Sequence, residues 1–431
     1  MKYFCIVLYI FIVTGCSQAV PKKESIYDLS HIPQDVSVYS KGIEKGKISS
    51  LEKYQKYYFK PWNVAKINIS LDEAMWAYRI FTPKNSYGGN LQPLKQDFFD
   101  KVTTNSNFAN YSTINKKAIT LRKLNIRAFP TDDVVLRDPN RAGEGFPFDY
   151  MQNSTIGANK PILISHYSKD KKWAFIESSF AYGWVKSKDI VLISQRYADA
   201  WQAAKQVFFT QDNSPVIDQN KTFLFQSQIG VMLPLIEDDN KSITVLSIDR
   251  YKGDEAYFRE SRLPKEMSHK GILNFNAKNI NKIVNDLSKN IYGWGGMYSQ
   301  RDCSSMVRDF FAPFGIWLPR NSYMQGKVGK VISFKNMTDK EKIETIKKDA
   351  IAFETLLYKR GHIVLYVGTY DDKIVVFQNA WGIKTKKDGK AGRFIIGKPI
   401  FSTLKVGKNL KYYDDKASIL TQLKSMNIVT R

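Results

Sequence analysis

Cysteine is nearly absent from this sequence. The 431 residues hold three, at positions 5, 16 and 303, which excludes a disulfide-built scaffold. No cysteine–histidine spacing suits a zinc finger, and no glycine-rich phosphate loop is present. Nothing specific therefore points to nucleic acid, and no metal or cofactor is called for. Acidic residues are also in short supply, 41 against 65 Lys and Arg, for a net charge of +24. The excess lysines are spread along the whole chain rather than gathered in one tail. A diffuse positive field of this kind favours polyanions such as nucleic acid, anionic lipid or an anionic cell wall. No segment is low in complexity and no exact repeat occurs. The length suggests two to four domains.

The first residues choose among these options. Lys2 is followed by the apolar run Tyr3 to Val13, which has the length of a signal-peptide core and is too short to span a bilayer. It ends in "VTGC", which resembles a bacterial lipobox. The resemblance implies cleavage before Cys16 and lipidation of its thiol. Ser17 after it resembles an outer-membrane address, so the expectation is an envelope lipoprotein facing the periplasm. Cys5 then leaves with the leader and Cys16 carries lipid. Cys303 alone remains as a thiol, without an intrachain partner, in a compartment that favours disulfides.

Changes of pattern divide the chain. Residues 1–16 are the leader. Residues 17–115 form a polar tether and a mostly helical cap region. Within it, "SLDEAMWAYRIF" reads as a helix capped by Ser70 with Glu73 three residues later. From about residue 116 the period shortens to that of strands. "VVLRDP", "PILISHYSKDKKWAFIES" and "AYGWVKSKDIVLI" read as strands, with a hairpin turn at "KDKK". The stretch 116–192 resembles a bacterial SH3-like domain, with Trp173 and Trp184 at core positions. Residues 193–268 read as a second, weaker example. In 269–431, "NAKNINKIVNDLSKN" is an amphipathic helix with Ile280, Ile283, Val284 and Leu287 on one face. A glycine turn "YGWGG", the Cys303 segment, a lysine-rich loop near 335–350 and a strand pair from 361 to 380 follow.

The chemistry centres on "RDCSSMVRDFF". Met306, Val307, Phe310, Phe311 and Phe314 keep helical spacing, and Pro313 and Gly315 stop it. Cys303 thus falls at a helix N-terminus with Asp302 placed to cap. Unpaired N–H groups and the helix dipole favour its thiolate. The Asp302 carboxylate opposes it and so needs another task. A cysteine nucleophile needs a base. Three histidines, His31, His166 and His269, lie upstream. His362 opens "GHIVLYVG", a strand in the same expected domain as Cys303. "IVVFQNAWG" returns antiparallel. A turn centred near Tyr370 sets Gln378 directly across from His362, and a one-residue slip sets Asn379 there. Either amide could accept from one imidazole nitrogen and aim the other at the thiol.

The order cysteine, histidine, polar orienter is that of papain. With "YGWGG", "RDCSS", "LPRNS", "GHIVLYVG" and "FQNAWGI" in sequence, residues 290–382 resemble the NlpC/p60 cell-wall peptidases. The full layout is similar to the family's multidomain lipoproteins. The fold class implied is multidomain α+β: a helical N-terminal region, two SH3-like β-barrels and a papain-like α+β catalytic domain. The resemblance implies hydrolysis of the γ-D-glutamyl–diaminopimelate bond of peptidoglycan stem peptides. Cys303 would be the nucleophile, His362 the general base and Gln378 the orienting residue. Tyr292 matches the tyrosine that stabilises the oxyanion, together with the Cys303 N–H. Asp302 and Ser304 match positions that hold the free ammonium of an N-terminal L-Ala, and Ser322 matches another substrate contact. That would give Asp302 its task. Gln378 departs from the family, which often has histidine there. The competing reading is an inactive wall-binding or hydrolase-scaffolding lipoprotein. The intact Cys303–His362 pair argues against the inactive wall-binding form, and the scaffolding form stays open at this point.

Overall fold

The computed structural model describes residues 24–250 and 256–431. The lipobox and the Cys16 anchoring site lie outside the described residues. No helix among the described residues is long and apolar enough to cross a membrane.

The N-terminal region is a strap of short helices that runs over the other three parts. Ile32, Val36 and Tyr39 pack into the core around the Cys303 helix. Tyr54 and Tyr58 pack in the core of the second β-domain, and Trp62 donates its indole N–H to Ala118 O of the first at 2.9 Å. Ile67 and Ala74 pack on Trp173, Phe175 and Trp184 of the first. Ser70 and Glu73 form the expected reciprocal capping box. The helix they start is split at Met75, leaving turns at Leu71–Ala74 and Trp76–Ile80.

The first β-domain is a seven-stranded antiparallel sheet running from Lys116–Thr120 to Ile190–Leu192. The hairpin Pro161–Tyr167 and Trp173–Ser178 pairs as its alternation requires. "VVLRDP" is not a strand. Val135 N–H donates to Asp149 Oδ1, and Leu136 exchanges backbone bonds with Tyr87. Its donors are satisfied by a side chain and by the N-terminal strap, so no ladder forms. The second β-domain carries a five-stranded sheet from Gln206–Phe209 to Ser268–Lys270.

The C-terminal part opens with helix Ala277–Ser288, whose Ile280, Ile283, Val284 and Leu287 are fully buried. Its six-stranded sheet includes three long neighbours in series, His362–Tyr370, Lys373–Lys387 and Lys390–Thr403. The stretch expected as a lysine-rich loop is helix Asp339–Asp349, started by a Thr338–Glu341 capping box. Its buried anchor is Ile346, and the lysines face outward apart from Lys342.

The glycines of "YGWGG" have a packing reason. Gly295 and Gly296 adopt φ of 57° and 89°. A Cβ on either would meet Gln152 O at 2.2 Å or Thr155 Oγ1 at 2.4 Å. Only glycine lets this loop seat directly on the first β-domain. Trp294 Nε1 donates to Asp149 O beside it, at 3.0 Å.

Candidate active site

Cys303 is the first residue of helix Cys303–Phe311, and Asp302 is its cap. Asp302 Oδ1 accepts from Ser305 N–H at 2.9 Å, and Ser305 Oγ accepts from Asp302 N–H at 2.9 Å. This reciprocal box fixes the first turn. Met306, Val307, Phe310 and Phe311 drive the rest of the helix into the core. Behind the box, Arg301 is buried and paired with Asp212 of the second β-domain and with Asp309, at 2.7 Å for the latter. Removing one partner from such a buried network costs roughly 3–5 kcal/mol, so the Cys303 loop is locked to the domain behind it.

The helix start does not make Cys303 an acidic thiol, as the sequence suggested. Burial, and then the Asp302 carboxylate, push it up to about 12. The N–H groups of Ile363 and Ser304 and the Arg320 guanidinium offset only part of this. With Cys303 only 8% exposed, the desolvation cost outweighs the helix dipole.

Asp302 itself is not a bare charge. Arg320 Nη2 lies 2.6 Å from its Oδ2, and both side chains are almost entirely buried. Arg320 also donates to Ser304 Oγ at 2.9 Å and to Ser154 Oγ of the first β-domain at 2.7 Å. The carboxyl is held below its usual range against burial by this guanidinium. The expectation that Asp302 awaits a cation from outside is therefore corrected: the chain supplies one. Sequence reading missed Arg320 although it sits in the quoted "LPRNS" block.

His362 Nε2 and Gln378 Oε1 are 2.8 Å apart. The register differs from the expected one. The turn residues are Asp371 and Asp372, Tyr370 pairs with Lys373, and a bulge intervenes before Tyr366–Val376. Continued, this register sets Gln378 opposite Val364, so it reaches His362 diagonally along the same face. Asn379 points elsewhere and donates to Arg301 O at 2.7 Å.

The hydrogen bonds also fix the tautomer. Ser402 Oγ gives its proton to Thr403 O at 3.1 Å, and so accepts from Gln378 Nε2 at 2.6 Å. Gln378 must then present its oxygen to His362, whose Nε2 carries the hydrogen. Nδ1 is left with a lone pair. Burial holds the imidazole down at about 4, with the Gln378 bond acting weakly the other way, so the ring is neutral at pH 7. No local pattern around Ser402 announces this role.

Cys303, Tyr292 and Gly361 are common to two halves of one cleft. One half, of about 420 Å³, continues past His362 and Gln378. The other, of about 450 Å³, holds Asp302, Ser304, Arg320 and Ser322. Trp76, Tyr150 and Tyr182 of the N-terminal strap and first β-domain wall it. Tyr292 stays a neutral phenol, pushed up by burial and by Cys303 and Asp302. His31, His166 and His269 line neither half. His166, in the first β-domain, is hydrogen-bonded to Ser106 O of the N-terminal region.

The NlpC/P60 family profile matches residues 289–389, the segment that carries every one of these catalytic-domain cleft residues up to Gln378. Residues 289–389 form an NlpC/P60 domain. The family is one of cysteine peptidases acting on the peptidoglycan of the cell envelope. The profile of the N-terminal stabilising domain of NlpC/P60 proteins matches residues 3–111. SH3 domains of the SH3b1 and SH3b2 types match 135–186 and 194–240. No curated protein matches the whole sequence significantly. Among solved structures, an NlpC/P60 endopeptidase from Photobacterium damselae subsp. piscicida is 23% identical. The match covers 93% of this chain and 98% of that one, with a TM-score of 0.79. An NlpC/P60 family protein from Bacillus cereus ATCC 10987 is 14% identical over 73% of this chain and 100% of that one, with a TM-score of 0.47. The first of these likenesses extends the shared fold over all four parts of the chain.

Proposed function

We propose that this protein is a peptidoglycan endopeptidase that hydrolyses the γ-D-glutamyl–diaminopimelate bond of stem peptides through an acyl-enzyme on Cys303. The observation that carries the reading is the relay Ser402–Gln378–His362, which leaves Nδ1 basic on a cleft shared with Cys303. The resting pair is a neutral thiol and a neutral imidazole. As Sγ bonds to the γ-carbonyl carbon, Nδ1 takes the thiol proton. The carbonyl oxygen becomes an oxyanion that the Cys303 N–H and the Tyr292 hydroxyl stabilise. The C–N bond then breaks, and the imidazolium returns the proton to the departing amine. Water, deprotonated by His362, attacks the thioester and releases the γ-D-glutamyl acid and the thiol.

The half-cleft of Asp302, Ser304 and Ser322 takes the other end of the peptide, and a free N-terminal L-Ala fits it best. The support is now mainly steric. Trp76, Tyr150 and Tyr182 line this half and narrow the space that an intact stem continuing into muramic acid would need. Asp302 adds attraction for an ammonium, moderated by Arg320. An anchored position in the envelope, through lipid on Cys16, rests on "VTGC". The test is incubation with purified muropeptides and mass spectrometry of the products. Fragments cut between D-Glu and diaminopimelate are expected, and none with Cys303→Ala. Cleavage at another bond, or undiminished cleavage by that variant, overturns the assignment.

A further inference from the structure

The half of the cleft beyond His362 has a charge pattern that the proposed chemistry does not use. Its lining includes Lys359, Arg360, Lys384 and Arg393 and no Asp or Glu. Little around these cations neutralises them. Lys359 Nζ donates to a neutral partner, Gln422 Oε1, at 2.9 Å. Arg393 Nη1 donates to a backbone oxygen, Gly392 O, at 2.9 Å. Lys384 reaches Asp414 only at 3.8 Å. Among the described residues, Arg360 and Arg393 have no carboxylate within ion-pair distance.

The cations are also forced together. Lys384 and Arg393 are direct cross-strand partners between Lys373–Lys387 and Lys390–Thr403, where like charges destabilise a sheet. Lys359 is the direct partner of His362 on the opposite side. Its ammonium is pushed down by burial and then by Arg393 and Lys384, and it in turn acts on His362. A concentration of like charge at the mouth of a reaction cleft is relieved when an anion enters it.

The chemistry says which part of a substrate enters. A general base that returns its proton to the leaving amine must face that amine. The His362 half is therefore the leaving-group side, and the Asp302 half holds the acyl side.

We infer that Lys359, Arg360, Lys384 and Arg393 form an anion-binding leaving-side subsite that selects an acidic diamino acid with free carboxylates. This rests on the peptidase reading above and adds to it a basis for choice. Diaminopimelate brings a side-chain carboxylate beside its side-chain ammonium. Lysine in its place brings the ammonium alone, and an amidated diaminopimelate loses the anion. Both are repelled or unrewarded here.

The experiment compares kcat/KM for three tripeptides, L-Ala-γ-D-Glu followed by diaminopimelate, by its side-chain amide, or by L-Lys. The wild type is expected to favour the free acid by roughly tenfold or more, the scale of one charge-assisted hydrogen bond partly open to water. Arg360→Gln with Arg393→Gln should narrow that ratio to about twofold, and Arg393→Lys should largely keep it. The ratio is the readout, so a general loss of activity cannot mimic the result. Equal rates on all three peptides, or an unchanged ratio in the double variant, overturn the subsite. No cleavage of any of the three overturns the peptidase reading beneath it.

Discussion

Gln378 and His362 meet through one hydrogen bond of 2.8 Å, and Ser402, 2.6 Å behind the amide, decides its direction. The oxygen of Gln378 faces the ring because its nitrogen is already committed. That makes Gln378→Ala costly, since the imidazole loses both its tautomer bias and its aim. A fall of roughly two to three decades in kcat is expected, below the ~10⁴ known for a charged orienting carboxylate. Asn379→Ala should spare turnover more and lower Tm instead, because Asn379 braces the Arg301 carbonyl. The opposite ranking in steady-state kinetics and thermal melts would reverse the two roles. Ser402→Ala should give a smaller fall than Gln378→Ala, with KM nearly unchanged.

The perturbed titrations predict an unusual pH profile. His362 must be neutral to accept a proton, and burial holds it at about 4. The acid limb of kcat/KM should therefore lie well below pH 6.5, with activity lost as pH falls through about 4 to 5. Gln378→Glu should move that limb upward, since a carboxylate partner stabilises the imidazolium. The thiol, pushed up to about 12, should alkylate with iodoacetamide at a rate still rising at pH 9. A plateau near pH 7 would instead indicate a preformed thiolate–imidazolium pair.

Much of this site was legible because its signals are local. The alternation in "GHIVLYVG" and the spacing after Cys303 place a histidine strand and a capped helix without any knowledge of the rest. The Thr338–Glu341 box was equally local, yet the lysines around it hid the helix, because its apolar stripe is thin and Ile346 is its one fully buried apolar anchor. What stayed hidden depends on long-range placement. Arg320 meets Asp302 across 18 residues, Ser402 meets Gln378 across 24, and Ser154 comes from another domain. The thiol was misjudged for a related reason: burial is a property of the folded cleft, and it overruled a helix-dipole argument made from sequence alone.

Arg320→Met should destabilise the protein by roughly 3 kcal/mol at pH 7, because it strands a buried carboxylate. The sign with pH follows from Asp302. In the wild type its pKa is lowered, so its contribution to stability is present above the unfolded value and lost as pH falls through the folded one. Without Arg320 the remaining burial raises that pKa, and the deficit should shrink below about pH 4 as the carboxyl protonates. Chemical denaturation of both proteins at pH 7 and pH 4 measures it. An equal deficit at both pH values would assign the loss to packing rather than charge.

If "VTGC" directs lipidation, Cys16→Ser should release the protein from membrane fractions or leave an uncleaved precursor. Fractionation with a high-salt wash separates lipid from charge, since exposed charge pairs are screened within about 10 Å at 0.1 M salt. Salt-resistant membrane association of the variant would contradict the anchor.

The Asp302–Arg320 pair changes how strongly a free N-terminus should matter. Had Asp302 been unpaired, removing the substrate ammonium would have left a buried charge alone. With Arg320 at 2.6 Å, the carboxylate keeps a partner whichever peptide is bound. The ammonium is then worth about one charge-assisted hydrogen bond, roughly 1.5–3 kcal/mol. At about 1.4 kcal/mol per decade, N-acetylating the alanine of the tripeptide should lower kcat/KM by about one to two decades. The acetyl group must also fit in the half lined by Trp76 and Tyr182, which adds a steric share to the loss. In Asp302→Asn the electrostatic share disappears and the steric share remains, so the acetylation penalty should shrink without vanishing. Measuring kcat/KM for both peptides with both enzymes divides the two shares. If acetylation makes no difference to the wild type, the Asp302 half of the cleft is open, and longer stem peptides become its natural substrates.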